Sequence, residues 1–132
     1  MKFVKMHGIG NDFVCVDGKQ ERVTRPGRVA QELCDRHFGV GADGLILVLP
    51  SARGTGADFR MRMWNPDGSE AEMCGNGIRC LGRFVYEHGL TKKKELTVAT
   101  LAGPIGLRLV MRGRTVTRVR VDMGVPRLER AE

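Results

Sequence analysis

The sequence predicts an α+β domain with a mostly antiparallel sheet. Two segments repeat apolar residues at helical spacing, and about seven short segments show strand patterns. The connections between successive strands are taken as too short for parallel crossovers, which favours antiparallel pairing. The chain has 132 residues, of which 42% are hydrophobic, a length and composition that suit a single core. We therefore expect residues 1–132 to form one domain.

The first half of the chain predicts three strands and a helix. Strand-type runs at 3–6 and 13–16 are separated by a turn-forming segment, and a continuous apolar run at 45–49 predicts a buried strand that Pro50 ends. Between the second and third of these strands, we predict a helix with Thr24 as its N-terminal cap. Pro26 is compatible with the first turn of this helix, and Gly39 ends it. Its apolar face is predicted at Val29, Ala30, Leu33, Cys34 and His37.

The second half predicts a helix enclosed by strands. Apolar and basic residues alternate at 59–63, and this strand leads into a turn at 65–68. A helix begins near Asn76 and ends at Gly89, which provides a left-handed stop. Its predicted buried face consists of Ile78, Leu81, Phe84 and Val85. Further strands are expected at 96–99, 105–111 and 115–123, the last with Thr117, Val119, Val121 and Met123 on one face.

The charge pattern does not favour a nucleic-acid-binding protein, and the lengths of the apolar runs do not favour a membrane-spanning one. The net charge is +7, and residues 91–132 carry ten Lys or Arg against four acidic residues. With one Trp and one Tyr in the chain, no aromatic residue is interleaved among these arginines for base stacking, so a solvated basic face is predicted. No apolar run approaches the roughly 20 residues of a membrane span. We expect a cytoplasmic protein, with a non-catalytic basic binding module as the alternative.

The cysteines are expected to be reduced and free of metal. Cys15 and Cys34 lie inside apolar segments, where a thiol behaves as a small hydrophobic group. Cys74 and Cys80 have five residues between them, with no histidine or further cysteine pair placed to complete a zinc site. Reduced thiols suit a cytoplasmic protein.

Cys74 is the candidate catalytic residue. It directly precedes a predicted helix whose first residues are rich in glycine, and the dipole and N–H groups of a helix N-terminus stabilise anions and thiolates. The alternative is a turn cysteine without a function. Cys80 lies about one and two-thirds turns further along, points to another side of the helix, and is expected to pack in the core.

Asn11 and Asn65 are candidate binding residues. Asn11 lies in a glycine-containing loop and Asn65 lies at the end of a strand. Each side chain offers donors and an acceptor that suit an amino-acid head group. Because asparagine is also common in turns, a purely structural role is the alternative for both.

Four segments, in this order along the chain, resemble the diaminopimelate epimerase family. They are MKFVKMHGIGNDF at 1–13, RHFGVGADG at 36–44, WNPDGS at 64–69 and MCGNGIRC at 73–80. The resemblance runs from residue 1 to about residue 126. It implies a two-domain enzyme of two similar α+β halves, each a sheet wrapped around a central helix, with the substrate between them. This chain would be the first half.

The resemblance also implies roles for individual residues. Cys74 would be one of two acid/base thiols, Gly75 and Asn76 would bind the α-carboxylate of diaminopimelate, and Asn11 and Asn65 would line the pocket. Gly44 occupies a pocket position that is often Gln in the family, so the resemblance makes it a further candidate for the pocket, where a substrate contact is missing or supplied by water. Proton removal by one thiol and return by another requires neither a metal nor an organic cofactor.

The expected second thiol has no counterpart in this sequence. Members of the family are about twice as long and carry the second catalytic cysteine in a second glycine-rich motif, whereas no cysteine follows Cys80 here. We expect that cysteine in a C-terminal domain absent from this chain, with a homodimer as another way to pair two thiols. The closest rival function is another cofactor-independent isomerase, such as a proline racemase-like or phenazine-biosynthesis-like enzyme.

Overall fold

The computed structural model describes residues 1–8 and 10–122. Within these residues the elements are β1 Val4–His7, β2 Asp12–Asp17, α1 Pro26–Cys34, β3 Gly44–Pro50, β4 Phe59–Trp64, β5 Glu70–Ala71, α2 Gly75–Glu87, β6 Glu95–Thr100, β7 Gly103–Arg112 and β8 Thr115–Asp122. The seven predicted strands agree with β1–β4 and β6–β8 to within about two residues, and the short β5 was not predicted. Neither of these helices is long and apolar enough to cross a bilayer.

All described strands belong to one sheet with the order β1-β2-β3-β4-β6-β7-β8, and β5 pairs with β4 at the side of this path. Five of the seven pairings in the described residues are antiparallel, which confirms the predicted α+β class. The pairs β2–β3 and β4–β6 are parallel. The expectation that no connection was long enough for a crossover was wrong there, because α1 and α2 themselves lie in those connections.

The two helices pack on opposite faces of the sheet. On β3, Ile46 and Val48 belong to the core around α2, whereas Leu45 and Leu47 belong to the core around α1. The helix α2 contacts β2 and β3 as well as β7 and β8, so the sheet curves around it as predicted. The predicted apolar face of α2 is confirmed, since all four of its members are buried: Ile78, Leu81, Phe84 and Val85.

The first helix differs from its prediction at both ends. Its N-cap is Arg25, in a left-handed conformation with φ 52°, and Thr24 lies outside the helix. It ends at Cys34, because the Asp35 carboxylate accepts the backbone N–H groups of His37 and Phe38 and turns the chain away from the helix axis. The predicted buried position of His37 was therefore wrong, while Cys34 is buried as expected.

The last strand also departs from its prediction. Val116 is buried and Thr117 is exposed, although Thr117 was predicted to share a face with Val119. The pairing of β7 with β8 shifts register between Val110 and Met111. A bulge at this point places an extra residue in β8 and reverses the side on which the following side chains point. The predicted position of Met123 lies outside the described residues.

We expect Gly39→Ala to destabilise the fold, because the loop at 35–43 leaves no space for a side chain there. A Cβ on Gly39 would meet the carbonyl oxygen of Glu32 and lie 2.8 Å from that of Leu33, and neither backbone group can move aside freely. The expected loss of unfolding free energy is about 1–3 kcal/mol, measured by urea denaturation.

The control for this substitution is Gly106→Ala, in the middle of β7. A Cβ on Gly106 would make an ordinary contact of 3.4 Å with Cβ of Asp122, so stability should stay unchanged or rise by less than about 1 kcal/mol. Equal denaturation midpoints for Gly39→Ala and the unsubstituted protein would contradict the prediction.

Candidate active site

Several of the predicted site residues lie at one end of the sheet. The register pairs Phe13 at the start of β2 with Gly44 at the start of β3, and pairs Leu45 with Trp64 at the end of β4. The loop before β2, the start of β3 and the turn after β4 therefore share this end. The N-terminus of α2 joins them, since a Cβ on Gly8 would lie 3.3 Å from Cβ of Asn76.

Cys74 is the residue at the N-cap of α2. Its backbone is extended, with φ −141° and ψ 123°, and its carbonyl oxygen accepts the N–H of Ile78 at 2.9 Å. The Cys74 side chain makes no cap bond to this helix, and the first turn of the helix carries no acidic residue that would compete with a bound anion. The thiol is partly exposed and lies beside the positive end of the helix dipole.

The other three cysteines are buried, and all four are free. Burial raises the pKa of the Cys80 thiol to about 11, and it also raises the pKa values of Cys15 and Cys34. These thiols stay neutral near pH 7, so they are poor nucleophiles. The predicted packing role of Cys80 agrees with its exposure of only 3%.

Asn11 and Asn76 are in direct contact. The amide nitrogen Nδ2 of Asn76 donates to Oδ1 of Asn11 at 2.7 Å, which joins the loop before β2 to the first turn of α2. Nδ2 of Asn11 donates to Oδ2 of Asp43 at 3.3 Å. The structure thus brings two of the predicted binding residues together across 65 positions of sequence. Their contact with a substrate stays a prediction.

Asn65 lies in a turn that follows β4. Its Nδ2 donates to Oγ of Ser69 at 3.1 Å, and its carbonyl oxygen accepts the N–H of Gly68, whose φ is 91°. The helix α1 holds this turn in place, because Nε2 of Gln31 donates to the carbonyl oxygen of Asp67 at 2.8 Å. These bonds agree with the structural alternative for Asn65. A role in substrate binding stays a prediction.

Gly44 is buried among its neighbours at the start of β3. A Cβ at this position would lie 3.0 Å from Cε of Met63 and 3.1 Å from the carbonyl oxygen of Trp64. The methionine side chain can move, but the backbone carbonyl of a paired strand cannot move freely. Tight packing therefore accounts for glycine at this position, and a substrate contact stays a prediction.

A charged cluster next to Asn11 was not predicted as part of the site. Arg36 donates to both carboxylate oxygens of Asp12, at 2.9 and 3.3 Å, and to Oδ1 of Asp43 at 3.1 Å. Lys5 forms a further ion pair with Asp12 at 3.2 Å. The hydrogen bonds from Arg36 hold the pKa of Asp12 far below its usual range. The signal available in the sequence was charged residues in two glycine-containing segments, with Asp12 in the first and both Arg36 and Asp43 in the second.

Two clefts of about 390 Å³ each adjoin the Asn11–Asn76 contact and share His7 and Gly8. The first is lined in addition by Asn76, Arg79, Cys80, Arg83, Val116, Thr117, Arg118 and Val119. The second is lined in addition by Gly10, Asn11, Asp12, Arg36 and Asp43. Cys74 lies outside both linings, on the partly exposed surface at the N-terminus of α2.

Comparison with known proteins identifies the family. A family model described as diaminopimelate epimerase matches residues 3–129, nearly the whole chain. The chain belongs to the diaminopimelate epimerase family. It is 60% identical over 134 residues to the diaminopimelate epimerase of Moorella thermoacetica, covering 100% of this chain and 47% of that protein. It is 51% identical over 132 residues to that of Methanococcus maripaludis, covering 100% of this chain and 47% of that protein.

The chain thus spans about half the length of the curated diaminopimelate epimerases it matches. Among solved structures, a probable proline racemase from Agrobacterium radiobacter has a TM-score of 0.73 at 19% identity, covering 90% of this chain and 40% of that one. A phenazine biosynthesis protein from Bacillus anthracis has a TM-score of 0.63 at 27% identity, and the match covers 85% of this chain and 38% of that one. The epimerase-like fold predicted for one half of the enzyme is therefore confirmed.

We expect iodoacetamide to label Cys74 first among the four cysteines of the folded protein. Cys74 is the partly exposed cysteine, whereas the buried thiols are both shielded and neutral near pH 7. Labelling over time followed by peptide mapping measures the four rates. Faster modification of Cys15 or Cys34 than of Cys74 under native conditions would contradict the proposed site.

Proposed function

We propose that this chain supplies one half of the active site of a cofactor-independent diaminopimelate epimerase, in which Cys74 is one of two acid/base thiols. The observation that carries this proposal is the position of Cys74, which is partly exposed at the N-terminus of α2 and whose thiol is not used as a helix cap. The proposal is supported by the diaminopimelate epimerases that match nearly the whole chain at 51–60% identity.

The N-terminus of α2 is suited to a carboxylate of the substrate. First-turn N–H groups of a helix have no partner within the helix and point along its axis, where they bind anions. Gly75 leaves this end open, since among residues 1–8 and 10–122 a Cβ there would meet only Nη1 of Arg79, at 3.7 Å. The cation of Arg79 adds positive charge at the same place. We infer that the α-carboxylate lies against Gly75 and Asn76.

This arrangement favours removal of the α-proton. When the Cys74 thiolate takes that proton, the electron pair left on the α-carbon spreads towards the adjacent carboxylate. The dipole of α2 and the nearby guanidinium of Arg79 then interact with more negative charge than in the ground state, which lowers the barrier. Asn11 and Asn65 would hold the other polar groups of the amino acid, so that the α-carbon stays within reach of the thiolate.

Inversion requires a second group on the opposite face of the α-carbon. A thiol there donates a proton to the carbanion, so the substrate gains as many protons as it loses, and the two sulfurs exchange protonation states. We propose that this thiol belongs to a second half of the protein, in agreement with the double length of the curated relatives. LL- and meso-diaminopimelate would then interconvert in the cytoplasm, for lysine and peptidoglycan-precursor synthesis.

The proposal is tested by incubating the intact protein that carries this chain with LL-diaminopimelate in deuterium oxide. We expect deuterium at the α-carbon by NMR and the meso isomer by chiral chromatography. Proline, tested in parallel, separates this function from that of a racemase with the same fold and should not exchange. Exchange of proline without exchange of diaminopimelate, or exchange of neither, would overturn the proposal.

A further inference from the structure

We propose that Arg36 and Asp43 are positioning residues that set the direction of the Asn11 and Asn76 side-chain amides beside the N-terminus of α2. This inference rests on the proposed function, because it concerns the same binding site. Neither residue is placed to touch the substrate in that function. Their effect would pass through the two asparagines.

The bonds form one continuous series from the surface to α2. Arg36, which is exposed, binds both Asp12 and Asp43 through its guanidinium. Asp43 accepts the backbone N–H of Asp12 at 3.0 Å and the Nδ2 of Asn11 at 3.3 Å through the same oxygen, Oδ2. Asn11 in turn accepts Nδ2 of Asn76 at 2.7 Å.

The direction of the two amides is fixed because Asp43, which precedes them in the series, is an acceptor. A carboxylate that interacts with three donors can only accept, so Asn11 must present its NH₂ group to Asp43. The carbonyl oxygen of Asn11 then faces Asn76, which must present its own NH₂ group in return. The shape of an asparagine amide does not distinguish its two ends, so the hydrogen bonds have to do so.

The backbone around Asp43 is held as firmly as its side chain. Its N–H donates to the carbonyl oxygen of Asp12 at 2.8 Å, which together with the bond from Asp12 to the Asp43 carboxylate forms a closed pair of contacts. Gly41, with φ 82°, lets the loop fold against Arg36, since a Cβ there would lie 3.3 Å from the Arg36 Cα. These contacts restrain the position of the carboxylate that sets the direction.

The sharpest test is Asp43→Asn, which keeps the shape of the side chain but allows it to donate as well as accept. Asp58→Asn is the matched control. Asp58 also accepts a cationic side chain, Lys93 at 2.6 Å, and a backbone N–H, that of Thr97 at 2.8 Å. It lies just before β4, at the opposite end of that strand from Asn65, so it shares the chemistry of Asp43 without its link to the asparagines.

Two measurements on the intact protein separate positioning from simple stabilisation. The first is the ¹⁵N–¹H spectrum of the Asn11 and Asn76 side-chain NH₂ groups, and the second is kcat and KM for diaminopimelate. In Asp43→Asn we expect both NH₂ resonances to move and kcat/KM to fall roughly tenfold to a hundredfold, the loss typical of a displaced binding group. In Asp58→Asn we expect unmoved resonances and a change in kcat/KM below about twofold.

A second variant covers the case in which Asp43→Asn does not fold. Arg36→Gln changes an exposed residue and removes the guanidinium that holds both carboxylates, so it should shift the Asn11 resonance and lower kcat/KM in the same direction. Unmoved NH₂ resonances in both variants would overturn the inference, as would equal losses of kcat/KM in Asp43→Asn and Asp58→Asn. Moved resonances in a protein that does not turn over diaminopimelate would support the positioning series and overturn the proposed function alone.

Discussion

In the intact protein that carries this chain, Cys74→Ala is expected to reduce epimerisation by roughly 10²- to 10⁴-fold, because the substitution removes one of two proton carriers. The fold should be unaffected. Cys74 is partly exposed, its side chain makes no cap bond, and the carbonyl that accepts the first helical bond belongs to the backbone. Deuterium exchange at the α-carbon measures the activity, and thermal denaturation measures the stability.

The control for this prediction is Cys80→Ala in the same helix. The Cys80 side chain is buried in the core between α2 and the sheet, so its removal should cost stability while the chemical step changes far less. If Cys74→Ala loses activity but not stability, and Cys80→Ala loses stability but little activity, the first thiol is catalytic and the second has a packing role. Equal activity losses with stability unchanged in both would show that the two roles are wrongly assigned.

The helix α2 could be predicted because its signals are local. The apolar spacing of Ile78, Leu81, Phe84 and Val85 and the glycine after its last turn lie within one segment, and Gly89 does have a positive φ of 74°. The end of α1 could not be predicted in the same way. Spacing alone extended it to His37, whereas the side chain of Asp35 competes for the backbone N–H groups and ends it earlier.

The same difference between local and long-range signals separates the residues that were predicted for the site from the neighbouring residues that were not. Cys74 could be proposed as a site residue because its place directly before a helix can be recognised from the local sequence alone. The cluster of Arg36, Asp12 and Asp43 depends on the parallel register of β2 and β3, which the sequence did not reveal because the crossover through α1 was not recognised. The contact of Asn11 with Asn76 likewise forms only when the curved sheet brings the loop before β2 to α2.

Residues 1–132 alone are expected to show no measurable epimerisation of diaminopimelate. Inversion requires proton removal on one face of the α-carbon and delivery on the other, and Cys74 is the one thiol that this chain is proposed to contribute. The N-terminus of α2 is also open to solvent in this half, since Cys74 and Asn76 are both partly exposed. Water weakens the interaction between the helix dipole and the developing carbanion, so even one-sided proton exchange should be slow.

The measurement is the deuterium exchange experiment, carried out on the purified chain and on the intact protein at equal thiol concentration. A homodimer offers the one route to activity for this chain, because symmetric pairing would bring two copies of Cys74 to opposite faces of one substrate. Such activity would rise more steeply than linearly with protein concentration and would disappear in Cys74→Ala. Steady conversion to the meso isomer with that dependence would refute the prediction, and it would show that the second thiol comes from another copy of the same surface.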